Sequence, residues 1–396
     1  MTSGPLTHIK VIDVTAARAG PACIRILADM GADVIQVARP SGGSRQDMGS
    51  DLFASSDLEN LHRGKRSIVI DLQSPAGKEV FFRLVQSADV VAENFRPDVK
   101  HRLGIDYESV AQVNERIVYG SISGFGQDGP WGARPGVDQI AQGMSGLMSV
   151  TGPPGSGPWR VGTAICDLTA GWALAQAIMA ALIERSVSGK GQWVKTSLLE
   201  AGISLMDFQA SRWLIASEVA GQAGNDHPTG FPTGVFETAD GLVNLSAVSD
   251  QNFRDFLGQI GLSELAEDER FLSAKLRLAN KEALREECEP ALKKLPSKVV
   301  IDRLNLVGVP CGPILTVDQV FQHPQVEHLQ MAQEVVSSRF GELHLVRSPF
   351  TLSRTPSAVR SASPARGEHT TEVLKEHGWT GDEIAKLIDE RVVQQA

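Results

Sequence analysis

Cysteine is scarce in this chain, and its spacing excludes the common zinc-finger arrangements. Four cysteines stand among 396 residues, at Cys23, Cys166, Cys288 and Cys311. None forms a C-x-x-C pair and none has a histidine at zinc-finger spacing, so the sequence predicts no metal centre. Sparse cysteine usage in a large chain is typical of reduced thiols, which predicts a cytoplasmic protein.

Positive charge is also in deficit. The chain has 38 Lys and Arg against 47 Asp and Glu, which gives a net charge of −9. Domains that bind nucleic acid by neutralising its phosphates are usually basic, so we expect no nucleic-acid partner. Hydrophobic residues make up 42% and charged residues 21%, which is typical of a globular chain.

Long apolar runs are absent as well. The longest charge-free apolar stretch of interest, residues 168–183, has 16 residues, and a membrane-spanning helix needs roughly 20. It therefore predicts a buried helix and no membrane anchor. The first residues lack the basic and apolar regions of a signal peptide, so none is expected.

Several motifs of nucleotide-binding and hydrolytic enzymes are missing. The chain has no G-x-x-x-x-G-K-[ST], G-x-S-x-G or H-E-x-x-H sequence. Residues 124–129 (GFGQDG) match G-x-G-x-x-G, but Pro130 and Pro135 follow, so no helix can begin where a dinucleotide would need one. We interpret this segment as a glycine-rich loop.

Strand and helix patterns alternate along the first part of the chain. β-Branched or apolar runs predict strands at 9–14, 34–37, 67–72, 88–92 and 117–121. Gly20 and Pro21 open a helix that ends near Gly31, because proline is tolerated in the first turn and glycine favours the end. This alternation predicts an α/β fold with a doubly wound parallel sheet.

The character of the sequence changes near residue 225. Residues 239–241 (ADG) predict a turn between two strands, and charged helices follow from 250 to 298. We therefore place a first domain at 1–224 and a smaller α+β domain at 225–330. Residues 366–393 are predicted to form one amphipathic helix.

Asp167 stands immediately before the long apolar segment, where a helix is predicted to begin. Its position alone favours an N-cap, whose side chain accepts a backbone hydrogen bond. The alternative is a nucleophile, since a helix dipole keeps a carboxylate ionised and a carboxylate can attack an activated acyl carbon. Both interpretations remain open at this point.

Basic residues follow several of the predicted strands. Arg39 follows the second strand, and Arg96 and Arg102 follow the fourth. Ligands of open α/β sheets bind beyond the carboxyl ends of strands, so these arginines could surround one phosphate-bearing ligand. Taken singly, each is typical of a solvated surface charge.

Nine short segments, in order along essentially the whole chain, resemble those of the class III CoA-transferases, the family of formyl-CoA transferase and carnitine CoA-transferase. The matching segments are 13–15 (DVT), 19–21 (AGP), 27–35 (LADMGADVI), 63–67 (RGKRS), 88–97 (ADVVAENFRP), 121–126 (SISGFG), 167–171 (DLTAG), 308–313 (GVPCGP) and 367–370 (GEHT). The resemblance implies a large CoA-binding domain built from both chain ends, with residues 331–396 returning to it. It also implies a homodimer of two interlocked ring-like chains.

The resemblance identifies Asp167 as the catalytic nucleophile. It places CoA contacts at Arg18, Arg39, Leu72, Gln73, Asn94, Phe95, Arg96, Arg102 and Asp138. The implied reaction moves CoA from an acyl-CoA donor to a free carboxylic acid through an Asp167 mixed anhydride and an aspartyl-CoA thioester. CoA and acyl-CoA enter as substrates, and neither a metal nor a tightly bound cofactor is needed.

Two departures from the family pattern bear on specificity. Gln73 stands where a lysine is common, and the glycine run of formyl-CoA transferase is absent. Specificity for formyl-CoA and oxalate is therefore not expected. Arg18 could instead pair with the distal carboxylate of a succinate-type dicarboxylic acid, or contact only CoA.

Two other functions fit the same fold. An α-methylacyl-CoA racemase needs two acid/base groups, and its family has a histidine before the aspartate of the segment 136–138. Val137 occupies that position here and cannot transfer a proton. A non-catalytic CoA-binding protein is the other alternative, and the presence of Asp167 argues against it.

Overall fold

A computed structural model of the chain describes residues 4–40 and 56–396. The described strands are β1 Lys10–Asp13, β2 Asp33–Ala38, β3 Arg66–Ile70, β4 Val90–Glu93, β5 Val118–Ser123, β6 Trp193–Ser197, β7 Thr233–Glu237, β8 Leu242–Ser246, β9 Cys311–Pro313, β10 Ala332–Ser337, β11 Gly341–Val346 and β12 Val393–Gln394. The described helices are α1 Ala19–Asp29, α2 Ser56–His62, α3 Pro75–Val85, α4 Pro97–Leu103, α5 Tyr107–Val113, α6 Asp138–Met144, α7 Leu147–Val150, α8 Ile165–Ser188, α9 Leu198–Ser204, α10 Asp207–Ala216, α11 Asp250–Ile260, α12 Ala274–Ala279, α13 Lys281–Leu292, α14 Ser297–Leu306, α15 Val317–Phe321, α16 Pro324–His328, α17 Thr370–Glu376 and α18 Gly381–Asp389.

The chain divides into two compact units. The first unit takes its described residues from 4–147, 161–210 and 324–396, and the second unit consists of 148–160 and 211–323. The boundaries drawn from the sequence at 225 and 330 differ from this division. Gln222 explains part of the difference, because its side-chain amide donates to the Thr151 carbonyl at 2.7 Å and so joins 148–160 to the second unit.

A seven-stranded sheet forms the centre of the first unit, in the order β12-β3-β2-β1-β4-β5-β6. β1 to β6 run parallel, and the short β12 pairs antiparallel with β3 at one edge. The predicted α/β fold with a large parallel sheet is confirmed. The chain reverses its direction of travel across the sheet between β1 and β4, which is a topological switch point.

Successive residues of the strands supply two separate cores. Val11 belongs to the core beneath α1 and α8, while Ile12 belongs to the core beneath α3 and α5. Side chains alternate between the faces of a strand, so a continuous apolar run is buried on both sides. Helices therefore cover both faces of the sheet.

Helix α8 is longer than the apolar run that predicted it. Its 24 residues, Ile165–Ser188, are apolar enough by length and composition to cross a membrane. However, Ala170, Leu174 and Ile178 are fully buried in the core against the sheet. The prediction of a buried core helix is thus confirmed, although the length argument used for it was wrong.

The prediction of one helix over 366–393 is wrong. Two helices, α17 and α18, are separated by Gly378, whose φ of +84° is a conformation that ends helices. Thr380 then caps α18 in a capping box with Glu383. The chain continues into β12, which completes the edge of the sheet beside β3.

The second unit contains a three-stranded antiparallel sheet, β7-β8-β9, packed against helices. Its core is rich in phenylalanine, including the fully buried Phe236, Phe253, Phe256 and Phe271. The turn predicted at 239–241 connects β7 and β8, as expected.

Candidate active site

The carboxyl ends of β1 to β4 lie at one edge of the parallel sheet, and most of the predicted CoA residues follow these ends. They are Arg18 after β1, Arg39 after β2, Leu72 and Gln73 after β3, and Asn94, Phe95 and Arg96 after β4. This edge includes the switch point between β1 and β4, where open α/β sheets bind their ligands. The fold therefore collects residues that are distant in sequence at one edge.

The loop from β1 to α1 begins at a buried ion pair. Asp13 ends β1, and its carboxylate accepts the Thr15 backbone N–H at 2.9 Å and the Thr15 hydroxyl at 2.6 Å. The Lys65 ammonium group lies 2.8 Å from the other Asp13 oxygen, and both side chains are fully buried. These bonds fix the direction in which the chain leaves the sheet towards Arg18.

Asn94 holds the same loop from the neighbouring strand. Its side-chain amide donates to the Ala16 carbonyl at 2.7 Å and accepts the Ala16 N–H at 2.8 Å. Ala17 follows with a φ of +59°, a left-handed conformation that non-glycine residues adopt at a cost. In this structure the Asn94 amide is thus engaged in positioning the loop that leads to Arg18.

The crossing of α1 and α8 brings Arg18 close to Asp167. The two helices touch at Gly171, where an added Cβ would lie 2.7 Å from the Ala19 carbonyl oxygen. Residues four apart share a helix face, so Asp167 stands one turn before this contact, on the same side. Arg18 immediately precedes Ala19, and its positive charge acts on the Asp167 carboxyl group and lowers its pKa.

The first turn of α8 is capped by a residue other than Asp167. The helix begins at Ile165, so Asp167 is its third residue and does not act as the N-cap. The capping carboxylate belongs to Asp138, which accepts the N–H of Cys166 at 2.9 Å and the N–H of Asp167 at 3.4 Å. This arrangement leaves the Asp167 side chain without the capping role.

The surroundings of Asp167 raise its pKa to about 6 from an ordinary value of 3.8. Burial is the largest cause, because it disfavours the charged form, and the nearby Asp138 carboxylate adds to it. Arg18 acts in the opposite direction. A carboxyl group with this pKa is still mainly ionised at pH 7 but is more basic than an ordinary aspartate, which favours nucleophilic attack.

Cys166, the neighbour of Asp167, is a poor competitor for the same chemistry. Its thiol is buried, and burial together with the charges of Asp138 and Asp167 raises its pKa to about 11. The reactive form of cysteine is the thiolate, so this thiol is inert near pH 7. The carboxylate is the available nucleophile of the pair.

Four of the predicted CoA residues are close to one another. The Arg39 guanidinium carbon lies 6.0 Å from the centre of the Phe95 ring. Arg96 and Arg102 are both exposed and both approach Asp98, at 3.7 Å and 3.5 Å. The edge beyond β2 and β4 therefore presents three guanidinium groups and an aromatic ring.

The remaining predicted CoA residues differ in their surroundings. Leu72 is half-buried and packs against the core, while Gln73 is exposed after β3. Asp138 is set apart from the others, because it is buried at the start of α6 and directed at α8.

Two further residues of the candidate site, Gln142 and Asp57, were not predicted from the sequence. Gln142 is fully buried, and its side chain donates to Asp138 at 2.7 Å and accepts the Val161 N–H at 2.8 Å. Asp57 pairs with Arg18 through two bonds of 3.2 Å and 2.5 Å. The i, i+4 spacing of Asp138 and Gln142 on a helix could have indicated the first pair, whereas nothing local indicates the second.

Comparison with known proteins shows the family to which the chain is similar. Residues 6–370 match the model of CoA-transferase family III. The succinate–glutarate CoA-transferase of Agrobacterium fabrum is 38% identical over 94% of this chain and 95% of its own length. The acetyl-CoA:oxalate CoA-transferase of Acetobacter aceti is 37% identical over 81% of this chain and 84% of its own.

A solved structure shows the same fold. The CAIB/BAIF family protein of Brucella suis superposes with a TM-score of 0.83 at 33% identity, covering 95% of this chain and all of that one. The family match spans most of the chain and includes the segment that carries Asp167. The chain is therefore a member of CoA-transferase family III.

Proposed function

We propose that this enzyme transfers CoA between short dicarboxylic acids, with Asp167 as the covalent nucleophile. The observation that carries the proposal is the placement of Asp167, half-buried beside Arg18, with its pKa raised to about 6. Such a carboxylate combines ionisation at neutral pH with reduced solvation. Both properties favour attack on a thioester carbonyl.

The proposed reaction has four covalent steps. An Asp167 oxygen bonds to the thioester carbonyl carbon and the C–S bond breaks, which gives a mixed anhydride and the CoA thiolate. The thiolate then attacks the Asp167 carbonyl carbon and releases the donor acid, leaving an aspartyl-CoA thioester. The acceptor carboxylate attacks this thioester and expels the thiolate, and the thiolate finally attacks the acyl carbon of the acceptor and frees Asp167.

These steps exchange one carboxylate for another and need no net proton transfer. The acyl group stays activated as a thioester or an anhydride throughout, so the scheme requires no resident cofactor or metal. Arg18 supplies a positive charge beside the reacting carboxyl group, and water must be excluded because it would hydrolyse both intermediates.

The CoA moiety is proposed to bind across the carboxyl ends of β2, β3 and β4. Arg39, Arg96 and Arg102 would hold its phosphates, since guanidinium groups bind phosphate through paired hydrogen bonds. Phe95, under Arg39, offers an aromatic face, and Leu72 with Gln73 borders the same edge. We assign Asn94 and Asp138 to positioning the loop of Arg18 and the start of α8, respectively.

Dicarboxylic acids are proposed as substrates on two grounds. Arg18 is near Asp167 and holds a carboxylate, that of Asp57, in a two-bond fork. One named relative acts on succinate and glutarate, and the other acts on acetyl-CoA and oxalate, so each has at least one acid with two carboxylates. We favour a succinate-type acid, because it can reach Arg18 with one carboxylate while the other reacts.

A homodimer is proposed on the evidence of helix α10. None of its residues is buried, and Trp213, Leu214 and Ile215 are 56%, 79% and 85% exposed. Several large apolar side chains exposed on one short helix mark an interaction surface. A second copy of the chain, interlocked with the first, would cover it, and a cytoplasmic location would keep the four free cysteines reduced.

The test is a donor–acceptor screen with separated products. The purified enzyme is incubated with succinyl-CoA and a panel of free acids, and new thioesters are identified by liquid chromatography and mass spectrometry. We expect glutaryl-CoA with glutarate, and no transfer by Asp167→Ala, while CoA binding measured by calorimetry persists. Transfer by Asp167→Ala at the wild-type rate would refute the assignment.

A further inference from the structure

Arg18 and Asp57 form a contact that resembles the recognition of a substrate carboxylate. Two nitrogens of the guanidinium group meet the two carboxylate oxygens, at 3.2 Å and 2.5 Å. This parallel arrangement is the one in which arginine binds free carboxylates most strongly. Both side chains remain partly accessible, with 32% and 27% of their surfaces exposed.

The arginines near Arg18 differ in their partners. Arg63 is paired with Asp29 through bonds of 3.0 Å and 2.7 Å, both fully buried. Arg25 has a neutral partner instead, since one of its terminal nitrogens donates to Asn60 at 3.1 Å. Within the described part of the chain, the buried Nε of Arg25 has no hydrogen-bond partner.

The charges around Arg18 are balanced in number. The guanidinium groups of Arg18, Arg25 and Arg63 lie among the carboxylates of Asp29, Asp57 and Asp167. Burial and the charge of Arg63 lower the pKa of Arg25 to about 10, while Asp29 and Asp57 act in the opposite direction. A substrate carboxylate that takes the place of Asp57 at Arg18 would leave this balance unchanged.

We propose that Asp57 is a specificity-determining residue, which competes with the distal carboxylate of a dicarboxylic acid for the guanidinium group of Arg18. This inference rests on the proposed function, since it assumes that Asp167 reacts with one end of the acid. A dicarboxylate displaces Asp57 because it replaces one carboxylate with another. A monocarboxylate of the same length offers Arg18 no charge and leaves the Arg18–Asp57 pair intact.

The competition sets the affinity for the acceptor rather than the rate of the chemical step. A partly exposed ion pair contributes little free energy, so its removal should change affinity by a small factor, about two- to fivefold. Asp57→Asn should therefore lower the KM for succinate by about that factor and leave kcat nearly unchanged. The KM for butyrate, which has the same number of carbons and one carboxylate, should not change.

The experiment uses steady-state kinetics with a fixed acyl-CoA donor and either succinate or butyrate as acceptor. Asp57→Glu keeps the carboxylate and should retain the wild-type KM. Asp57→Ser, a residue favoured at helix starts, repeats the test if Asp57→Asn folds poorly. Asp33→Asn is the matched control, because Asp33 forms a similar two-bond pair with Arg66 at the opposite end of β2, and it should change neither KM.

A double-mutant comparison isolates the interaction between Arg18 and Asp57. In an Arg18→Ala background, Asp57→Asn should have no further effect on the KM for succinate. An unchanged or raised KM for succinate in Asp57→Asn, with transfer still present, would overturn this inference and leave the proposed function standing. A wild-type enzyme that transfers CoA to no acid would overturn both.

Discussion

Replacing the nucleophile should stabilise the protein, and the size of the effect follows from the raised pKa of Asp167. Its pKa is about 6 in the folded state and 3.8 in the ordinary state taken to represent the unfolded chain. One pKa unit corresponds to about 1.4 kcal/mol, so holding Asp167 ionised costs the fold at most roughly 3 kcal/mol. Asp167→Asn removes this charge at nearly constant volume.

The sign of the pH dependence distinguishes this cost from other effects of the substitution. A carboxyl group with a raised folded pKa causes no loss of stability below pH 3.8, an increasing loss between pH 3.8 and 6, and the full loss above pH 6. Asp167→Asn should therefore be more stable than wild type by about 1–3 kcal/mol at pH 8. The difference should shrink towards zero near pH 4.

Urea denaturation at pH 4, 5, 6 and 8 measures this difference. Intact-mass analysis before each experiment excludes deamidation back to aspartate. Asp389→Asn is the control, because Asp389 is exposed at the end of α18 and its substitution should change the stability only slightly. A stability of Asp167→Asn that is equal to or below that of wild type at pH 8 would refute the electrostatic reasoning.

Three further predictions concern the surroundings of the site. Asp138→Asn removes a charge that helps to raise the pKa of Asp167, so the acidic limb of the pH profile of kcat/KM should move to lower pH. The shift should be less than about one pH unit, because burial is the larger cause of the raised pKa. An acidic limb that does not move would contradict this prediction. Arg39→Ala should raise the KM for acyl-CoA about tenfold or more with little change in kcat, because a charge-assisted hydrogen bond contributes about 1.5–3 kcal/mol. Unchanged CoA binding in calorimetry would contradict the proposal that Arg39 binds a phosphate of CoA. Lys65→Met leaves the buried Asp13 carboxylate unpaired and should lower the free energy of unfolding by about 3–5 kcal/mol, whereas a loss below 1 kcal/mol in chemical denaturation would contradict this account of the pair.

The sheet and the place of the site at its edge could be predicted from the sequence. Runs of β-branched residues alternate with helical patterns, and parallel strands place all their carboxyl ends together. This reasoning predicts that Arg39 and Arg96 lie at one edge. It succeeded because strand identity and direction depend on local patterns.

The contacts within the site could not be predicted in the same way. The position of Asp167 in the sequence favours an N-cap as one of two interpretations, yet Asp138, 29 residues earlier, supplies the capping carboxylate. Which acidic group reaches a helix terminus depends on how α6 packs beside α8, and no local pattern encodes this. The pair of Arg18 and Asp57, 39 residues apart, is similarly a product of tertiary packing.

The prediction of one helix over 366–393 is wrong for a local reason. Gly378 and Thr380 together form a stop signal and a start signal for helices, and the amphipathic spacing of the flanking residues concealed them. Apolar periodicity indicates a helical segment, but the capping residues decide where it ends.

The central claim is that Asp167 forms the covalent intermediate, and trapping with mass analysis tests it most directly. The enzyme is incubated with acyl-CoA in the absence of an acceptor and then treated with hydroxylamine, which converts an activated acyl group to a hydroxamate. Cys166→Ala serves as the control, because the adjacent thiol could also carry an acyl group. We predict an acyl-CoA-dependent hydroxamate on Asp167 in both wild type and Cys166→Ala, and none in Asp167→Ala. Modification at Cys166, or trapping that is lost in Cys166→Ala and kept in Asp167→Ala, would contradict the carboxylate mechanism.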